Sequence, residues 1–295
     1  MEGLPLAQHS SGGQAFLLKR NDKHFLAKMT IVHVLLIILG IIMMLPYVWM
    51  VTSSFKAPTE LSLTRFTLLP KEPTFQNFVD SVRIFDIGRY FSNSVIVAGI
   101  GVLLQTSVCA LAAYALARFE FPGSGFLLVI FIGTMMVPEE TIMIPLFLLF
   151  RSLGLVNTYG GMILPIVPWG FSVYLLTQFF REIPKEIEES AYMDGASPMG
   201  IFIRIILPLS KPALGAIFIF SFLMTWDQFV IPLIVVSEQS MATLPLALAN
   251  LVHEAGENHT LLAASTTLAT IPSIAIFVAF QNYFISGLTA GAVKG

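Results

Sequence analysis

Six apolar stretches, each long enough to cross a lipid bilayer, divide the 295-residue sequence. The hydrocarbon core of a bilayer is roughly 30 Å thick, so a helix needs about 20 apolar residues to span it. With 56% apolar and only 12% charged side chains, the chain is too hydrophobic for an ordinary soluble domain. We predict an all-α fold, a polytopic membrane bundle of six transmembrane helices. The predicted spans cover about residues 29–53, 92–117, 126–150, 162–180, 212–236 and 262–286.

These spans separate an N-terminal segment (1–28), a transmembrane domain (29–286) and a C-terminal tail (287–295). The first stretch is longer than the core of a signal peptide and lacks a small-residue cleavage site, so we expect an uncleaved first span. An even number of spans places both termini on one side. Loop 182–211 lies on that side too, and this side carries ten of the sixteen Lys and Arg residues, those of the loop included. Because cytoplasmic loops carry an excess of positive charge, both termini and this loop are predicted to be cytoplasmic.

Composition also excludes several kinds of site. A net charge of −2 without a long basic block argues against a nucleic-acid partner. Cys109 is the only cysteine, so neither an intrachain disulfide nor a thiolate metal cluster can form. His253, Glu254, Glu257 and His259 cluster in one loop, but a zinc-protease helix needs a second His where Glu257 stands. We therefore predict no metal site.

Prolines interrupt five of the six predicted spans. Each proline removes a backbone donor and leaves the carbonyl four residues earlier without its helical partner, which hydrocarbon cannot replace. Broken helices of this kind suit a transport pathway, although proline is also commoner in membrane helices in general. The prolines are Pro46, Pro138, Pro145, Pro165, Pro168, Pro232 and Pro272.

Loop 182–211 has the signals of two short helices. Pro184 can begin the first helix, and acidic residues in the next turns suit the positive end of a helix dipole. The helix is predicted to end at Asp194-Gly195, where glycine can adopt the left-handed conformation. Ser197 is a good N-cap and Pro198 a good first residue for a second helix that runs through Pro208. This second helix is apolar almost all round, so part of its surface must face the bundle or another protein. We interpret the loop as a rigid docking element.

The loop resembles the EAA signature of the integral membrane subunits of binding-protein-dependent ABC importers. That signature reads Glu-Ala-Ala, three residues, Gly, nine residues, Ile, one residue and Leu-Pro. Here Glu189-Ser190-Ala191 is followed at those spacings by Gly195, Ile205 and Leu207-Pro208. Ser190 departs from the usual alanine but keeps a small side chain. The resemblance implies a coupling helix that docks in a cleft of a cytoplasmic ATPase. The residues assigned to this contact are Glu189, Ser190, Ala191, Asp194, Gly195, Ala196, Phe202, Ile205, Leu207 and Pro208.

Further residues resemble the carbohydrate-uptake, maltose-type branch of that family. They include residues 112–118 followed by Phe121-Pro122-Gly123, and Trp226, which is followed here by Asp227 rather than the branch's usual Asn. The tail 287–295 is similar to tails that reach toward the ATPase dimer interface, which assigns Gly291, Val293 and Lys294 to that contact. The resemblance implies half of a translocation pore with alternating access in the plasma membrane of a prokaryote. The implied partners are a homologous permease, two ABC ATPase subunits and an extracytoplasmic sugar-binding protein.

No Gly-rich stretch of the sequence ends in Gly-Lys-Ser or Gly-Lys-Thr, so the chain has no phosphate-binding loop. ATP and Mg are therefore expected to bind to a partner ATPase. We predict no catalytic residue and no cofactor in this chain, which would be a non-catalytic subunit.

Ionisable groups inside predicted spans indicate a solute path, because a charge in hydrocarbon costs several kcal/mol unless it faces a cavity. Glu139 and Glu140 follow a proline in span three, and Trp226, Asp227 and Gln228 border a predicted kink in span five. An aromatic face for sugar rings, with carboxylate and amide partners for hydroxyls, would suit a carbohydrate. The same residues could instead join helices to a partner permease.

Two other functions compete with the importer. An ion- or proton-coupled secondary transporter would use Glu139, Glu140 and Asp227 as relay groups, but it would not need a docking loop. An intramembrane hydrolase would need a nucleophile with a base or a two-histidine zinc helix, and the sequence offers neither.

Overall fold

The computed structural model of the protein describes the backbone of residues 23–60, 67–254 and 258–290. Within these ranges the chain is helical and contains no strand, which confirms the all-α class. In chain order the helices are α1 (Lys23–Ser53), α2 (Gln76–Arg83), α3 (Ile87–Arg118), α4 (Ser124–Thr134), α5 (Glu139–Ser152), α6 (Tyr159–Ile163), α7 (Gly170–Glu182), α8 (Lys185–Met193), α9 (Pro198–Leu209), α10 (Lys211–Trp226), α11 (Val230–Val235), α12 (Leu244–Glu254) and α13 (His259–Ala290).

Three of the described helices are individually long and apolar enough to cross a membrane: α1, α3 and α13. Three bent pairs pass the same criteria together, namely α4 with α5, α6 with α7 and α9 with α10. The described part of the chain thus allows three crossings, or up to six if each bent pair is one span. The predicted six is the upper limit of that range.

Three predicted spans are not continuous helices. Span 126–150 is broken between α4 and α5, whose axes differ by 103°, and Pro138 is the N-cap of α5. Span 162–180 is broken before Gly170, where the chain bends by 42°. Span 212–236 is broken after Trp226, and α11 begins only at Val230. The predicted prolines account for the first break, because proline and the residue before it disfavour a continuing helix. At the other end of the chain, α13 continues past the predicted boundary at 286 to Ala290.

Helix α3 lies at the centre of the fold because it contributes to all three buried apolar clusters. Its C-terminal half packs with α7 and α9 around Ala113 and Phe180. Its N-terminal half packs with α10, α12 and α13 around Ala98, while Val97 joins α5, α6 and α11. Cys109 is 0% exposed in the first cluster, and its Sγ lies 3.4 Å from the Val167 carbonyl oxygen.

Helix α1 lies at the edge of the bundle. It packs against α13 and exposes apolar side chains along most of its length. The turn that follows it is better anchored. The Asn77 side-chain amide donates to the carbonyl oxygens of Ser54 (2.8 Å) and Lys56 (2.7 Å), and Asn77 accepts from Thr260 Oγ1 (3.0 Å). This buried polar group joins the end of α1 to α2 and α13.

Candidate functional site

Helices α8 and α9 form the hairpin predicted for loop 182–211, and the turn between them has the expected geometry. Gly195 has φ +81°, in the left-handed region. The amide of Ala196 donates to the Ala191 carbonyl (3.0 Å), and the amide of Gly195 donates to the Tyr192 carbonyl (3.0 Å). These two bonds are the Schellman pattern that ends a helix with a left-handed glycine. The predicted helix end at Asp194-Gly195 is confirmed.

The second helix of the hairpin also begins as predicted. Ser197 is its N-cap, with Oγ accepting from the Gly200 amide (3.2 Å), and Pro198 is its first residue. The first helix differs in one detail, because Pro184 is the N-cap of α8 and the helix starts at Lys185. The ψ of Pro184 is 132°, which is extended rather than helical, so this proline precedes the first turn.

Helix α9 widens into a π-helix over Phe202–Ile206. Its last bond joins the Leu207 amide to the Phe202 carbonyl. Pro208 follows directly and, because it has no backbone N–H, cannot donate a hydrogen bond to the Arg204 carbonyl. A widened turn just before a proline relieves the clash between the proline ring and the preceding turn, and π segments are frequent at functional sites.

One face of the hairpin is buried within this chain and the other is exposed. Ile201, Phe202 and Ile206 are buried in the cluster formed with α3 and α7. Met193 at the tip is 88% exposed, and Met199 and Ile203 are also exposed. The apolar surface of α9 is therefore shared between the bundle and the outside.

The residues assigned to the ATPase contact fall into two groups. One group is exposed, and the other packs on the buried cluster, with Phe202 fully inside it. Ser190 donates to the Glu186 carbonyl (2.8 Å), so its hydroxyl is satisfied within α8 and does not disturb the motif. The exposed group comprises Glu189, Ser190, Asp194, Gly195 and Pro208, and the half-buried group Ala191, Ala196, Ile205 and Leu207.

A buried polar cluster lies at the base of the hairpin, and the sequence reasoning missed it. Arg118 at the end of α3 is ion-paired through Nε with Glu188 Oε1 of α8. The Tyr114 hydroxyl donates to Glu188 Oε2 (3.2 Å), and Arg118 Nη2 donates to the Ile183 carbonyl (2.9 Å). The sequence did contain one signal: a positive charge, Arg118, ends a predicted span, and a negative charge, Glu188, lies in loop 182–211. Nothing in the sequence shows that these two residues pair.

The second candidate region lies where two broken helices meet. Gln228 Nε2 lies 3.2 Å from both carboxylate oxygens of Glu139, which joins the start of α5 to the break after α10. Gln228 Oε1 accepts from the amide of Val230, the first residue of α11 (3.0 Å). Glu140 and Asp227 are exposed at the same two breaks. The structure thus brings the predicted carboxylates and amide to one place.

Trp226 does not share that exposed position. It is 3% exposed, its ring stacks on Phe222 at 5.5 Å with an interplanar angle of 17°, and Phe91 packs edge-on at 5.7 Å. Its Nε1 donates to the Ala269 carbonyl (3.1 Å). In this conformation Trp226 is a core side chain and offers no free ring face to a sugar, contrary to the expectation.

The remaining candidates lie partly inside and partly outside the described residues. Among the described residues, no group of three His, Cys, Asp or Glu side chains could hold a metal ion. Glu257 and the tail residues Gly291, Val293 and Lys294 lie outside the described residues. Their assigned roles stay predictions.

Comparisons with known proteins identify the family of the chain and agree with its fold. Residues 106–290 match the family described as "Binding-protein-dependent transport system inner membrane component". The chain is 37% identical over 263 residues to the arabinooligosaccharides transport system permease protein AraQ of Halalkalibacterium halodurans, covering 87% of this chain and 93% of that protein. It is 35% identical over 266 residues to the trehalose/maltose transport system permease protein MalG of Thermococcus litoralis, covering 88% and 94%.

Among solved structures, the crystal structure of a bacterial ABC transporter that imports the acidic polysaccharide alginate has a chain of similar fold. The TM-score is 0.78 at 22% identity, and the match covers 89% of this chain and 98% of that chain. The family match over more than half of the sequence, with relatives above 30% identity along most of both lengths, leads to one conclusion. The chain belongs to the family of inner-membrane components of binding-protein-dependent transport systems.

Proposed function

We propose that this chain is the membrane permease subunit of an ATP-driven ABC importer for a carbohydrate, and that it forms half of the translocation pore. The observation that carries this proposal is the α8–α9 hairpin. Its turn is fixed by the Schellman bonds at Gly195, its base is buried against α3 and α7, and its tip is exposed. A secondary carrier has no use for such a projecting, rigid hairpin.

The partners follow from the family and from the relatives. A binding-protein-dependent system includes a solute-binding protein. The names of the two relatives mention arabinooligosaccharides and trehalose or maltose. We propose that a homologous permease completes the pore and that two ABC ATPase subunits bind ATP and Mg. Both termini and the hairpin would then face the cytoplasm of a prokaryote, with the sugar-binding protein on the other side.

The transport cycle is alternating access. Nucleotide binding closes the ATPase dimer, and the cleft that holds the hairpin moves. Because the two hairpin helices are capped and packed as one unit, the hairpin moves rigidly and the spans turn the cavity outward to receive sugar. Hydrolysis releases the dimer, and the cavity opens inward.

The solute path would pass the junction of the broken helices. Glu139 and Gln228 are already joined there, and Asp227 is exposed beside them. Carboxylates and amides offer the acceptors and donors that sugar hydroxyls need. Relay use of Glu139, Glu140 and Asp227 by an ion-coupled carrier receives no support from the family to which the chain belongs.

The proposal predicts ATP-dependent uptake. The chain is reconstituted in proteoliposomes with the permease, ATPase and solute-binding protein that are encoded by neighbouring genes. The binding protein and radiolabelled maltose, trehalose and arabinotriose are supplied outside the vesicles. We expect at least one sugar to accumulate with Mg-ATP enclosed, and no accumulation with ADP. Full-rate uptake driven by a proton or sodium gradient without the ATPase would contradict the importer and favour the carrier.

A second prediction concerns Asp227. Replacing Asp227 with Ala removes an exposed carboxylate from the junction, and we expect the KM for the transported sugar to rise by about tenfold, the factor for losing one hydrogen bond to a charged group. Co-purification of the ATPase should be unchanged. Glu72, an exposed carboxylate in the segment before α2, gives the control Glu72→Ala. Equal KM values for the parent and Asp227→Ala would show that this carboxylate only packs.

A further inference from the structure

The base of the hairpin is held by charged groups that are almost completely removed from solvent. The side chains of Arg118 and Glu188 are 6% and 7% exposed, and the Tyr114 hydroxyl lies between Glu188 and the Pro198 carbonyl oxygen at 3.2 and 3.5 Å. We call Arg118, Glu188 and Tyr114 the base cluster. It belongs to none of the contacts assigned above to the ATPase or to the solute.

The base cluster brings three chain segments against one helix. Glu188 is part of α8, the Pro198 carbonyl belongs to α9, and the Ile183 carbonyl ends α7. Arg118 and Tyr114 both come from the last two turns of α3. Arg118 and Tyr114 therefore bond α8 and the end of α7 directly to α3. The single hydroxyl proton of Tyr114 goes to Glu188, so α9 is held to α3 mainly by the apolar packing of Ile201, Phe202 and Ile206, with the Pro198 carbonyl oxygen nearby at 3.5 Å.

Stability alone is a weak reason for such a cluster. A buried ion pair loses so much hydration that apolar residues of similar volume often stabilise a protein equally well or better. What charged and directional bonds add is a defined relative orientation, because an arginine with several donors and a carboxylate with two acceptor atoms fit in few geometries. The arrangement thus favours a role in which orientation matters.

The opposite ends of the hairpin and of α3 indicate what that role is. The hairpin tip is exposed at Met193, so a partner can push there, while the base cannot move without α3. At the far end of α3, Asn93 donates to the carbonyl oxygens of Ser240 (2.9 Å) and Ala242 (2.8 Å), and Ser94 accepts from the Leu244 amide (2.8 Å). Helix α3 is therefore held by polar bonds at both ends.

We propose that the base cluster makes the hairpin and α3 one rigid unit, so that a displacement imposed on the tip is delivered first to α3. Arg118, Glu188 and Tyr114 are then positioning residues for coupling. The proposal rests on the proposed function, since it presupposes an ATPase that moves the hairpin. Without the cluster the ATPase would still bind and hydrolyse ATP, but the hairpin would shift against α3 and part of each stroke would be lost.

The test uses the complete reconstituted complex and measures sugar molecules moved per ATP hydrolysed, with radiolabelled maltose, trehalose or arabinotriose, whichever the parent complex transports. The first variant, Arg118→Met with Glu188→Leu, replaces both charges by apolar groups so that neither is left buried and unpaired. We expect normal membrane abundance, normal ATPase binding and about tenfold less sugar per ATP. The charge-swapped pair Arg118→Glu with Glu188→Arg restores an ion pair but not the bonds to the Ile183 carbonyl and from Tyr114, so we expect it to recover only part of the ratio. Arg151→Gln, which removes an exposed arginine outside α3 and the hairpin, is the matched control.

A parental ratio in the apolar double variant would overturn the proposal, because the pair would then serve packing alone. If the apolar double variant is not found in the membrane at normal abundance, the single variants Arg118→Lys and Tyr114→Phe test the proposal instead. Both substitutions nearly preserve the side-chain volume, and we expect each to lower the amount of sugar moved per ATP by a few fold. Parental ratios in both variants would overturn the proposal. Failure of the proposed function is distinguished beforehand, since the parent complex would then show no ATP-dependent uptake at all.

Discussion

Replacing Gly195 with Pro is expected to abolish uptake while leaving the chain inserted in the membrane at its normal abundance. Proline is confined to φ near −65°, whereas Gly195 has φ +81°, and the substitution also removes the amide that bonds to the Tyr192 carbonyl. The turn between α8 and α9 cannot form, so the tip that would enter the ATPase cleft is lost. The measurement is uptake in proteoliposomes at equal protein content, together with co-purification of the ATPase.

The chain offers a matched control for this change. Gly123, between α3 and α4, also has a left-handed φ, of +89°, and an added Cβ there meets nothing within 4 Å, as at Gly195. Gly123→Pro imposes the same kind of backbone strain outside the hairpin, and we expect uptake to fall much less. Normal uptake by Gly195→Pro would refute a coupling role for the hairpin, while equal losses in both variants would point to a general folding defect.

Replacing Gly170 with Ala is expected to lower the amount of folded protein rather than its specific activity. Gly170 is the first residue of α7 and lies against the end of α4. An added Cβ would lie 2.7 Å from Thr134 Oγ1 and closer still to the Phe131 carbonyl oxygen, which belongs to a helix backbone and cannot turn away. Overpacking of this kind costs about 1–3 kcal/mol. Membrane abundance and the thermal midpoint in detergent, followed by size-exclusion chromatography, measure the effect.

Gly99→Ala is the control for Gly170→Ala. Gly99 lies within α3, and an added Cβ there meets nothing within 4 Å. Alanine favours a helix interior over glycine by about 1 kcal/mol in soluble hosts, so we expect this variant to be neutral or slightly more stable. A thermal midpoint for Gly170→Ala equal to that of the parent would show that α4 and α7 can separate without loss.

The features that the sequence predicted best depend on neighbouring residues. The left-handed glycine, the Ser197 cap and the proline that follows it lie within four positions, and each follows from the conformational limits of a single residue type. The existence of the long apolar helices is predictable for a similar reason, because bilayer thickness sets their length. The breaks near prolines were also predictable, although not their angles.

Contacts between distant segments could not be predicted from one sequence. Tyr114 and Glu188 are 74 positions apart, and Gln228 and Glu139 are 89 apart, so no local spacing relates them. The direction of the 103° bend after α4 depends on what α5 packs against, which a proline does not specify. Trp226 was misplaced because its ring is as well suited to a core as to a sugar, and only the positions of Phe222 and Ala269 decide between the two.

The burial of Cys109 has a practical consequence for experiments on this protein. The only thiol in the sequence is 0% exposed, and its sulfur is held against backbone carbonyl groups between α3 and the start of α7. Maleimides and other polar reagents will not reach it while the fold is intact. A fluorophore or spin label attached to a cysteine introduced at position 193 can therefore report on the hairpin tip in the otherwise unaltered sequence, without a thiol-free background.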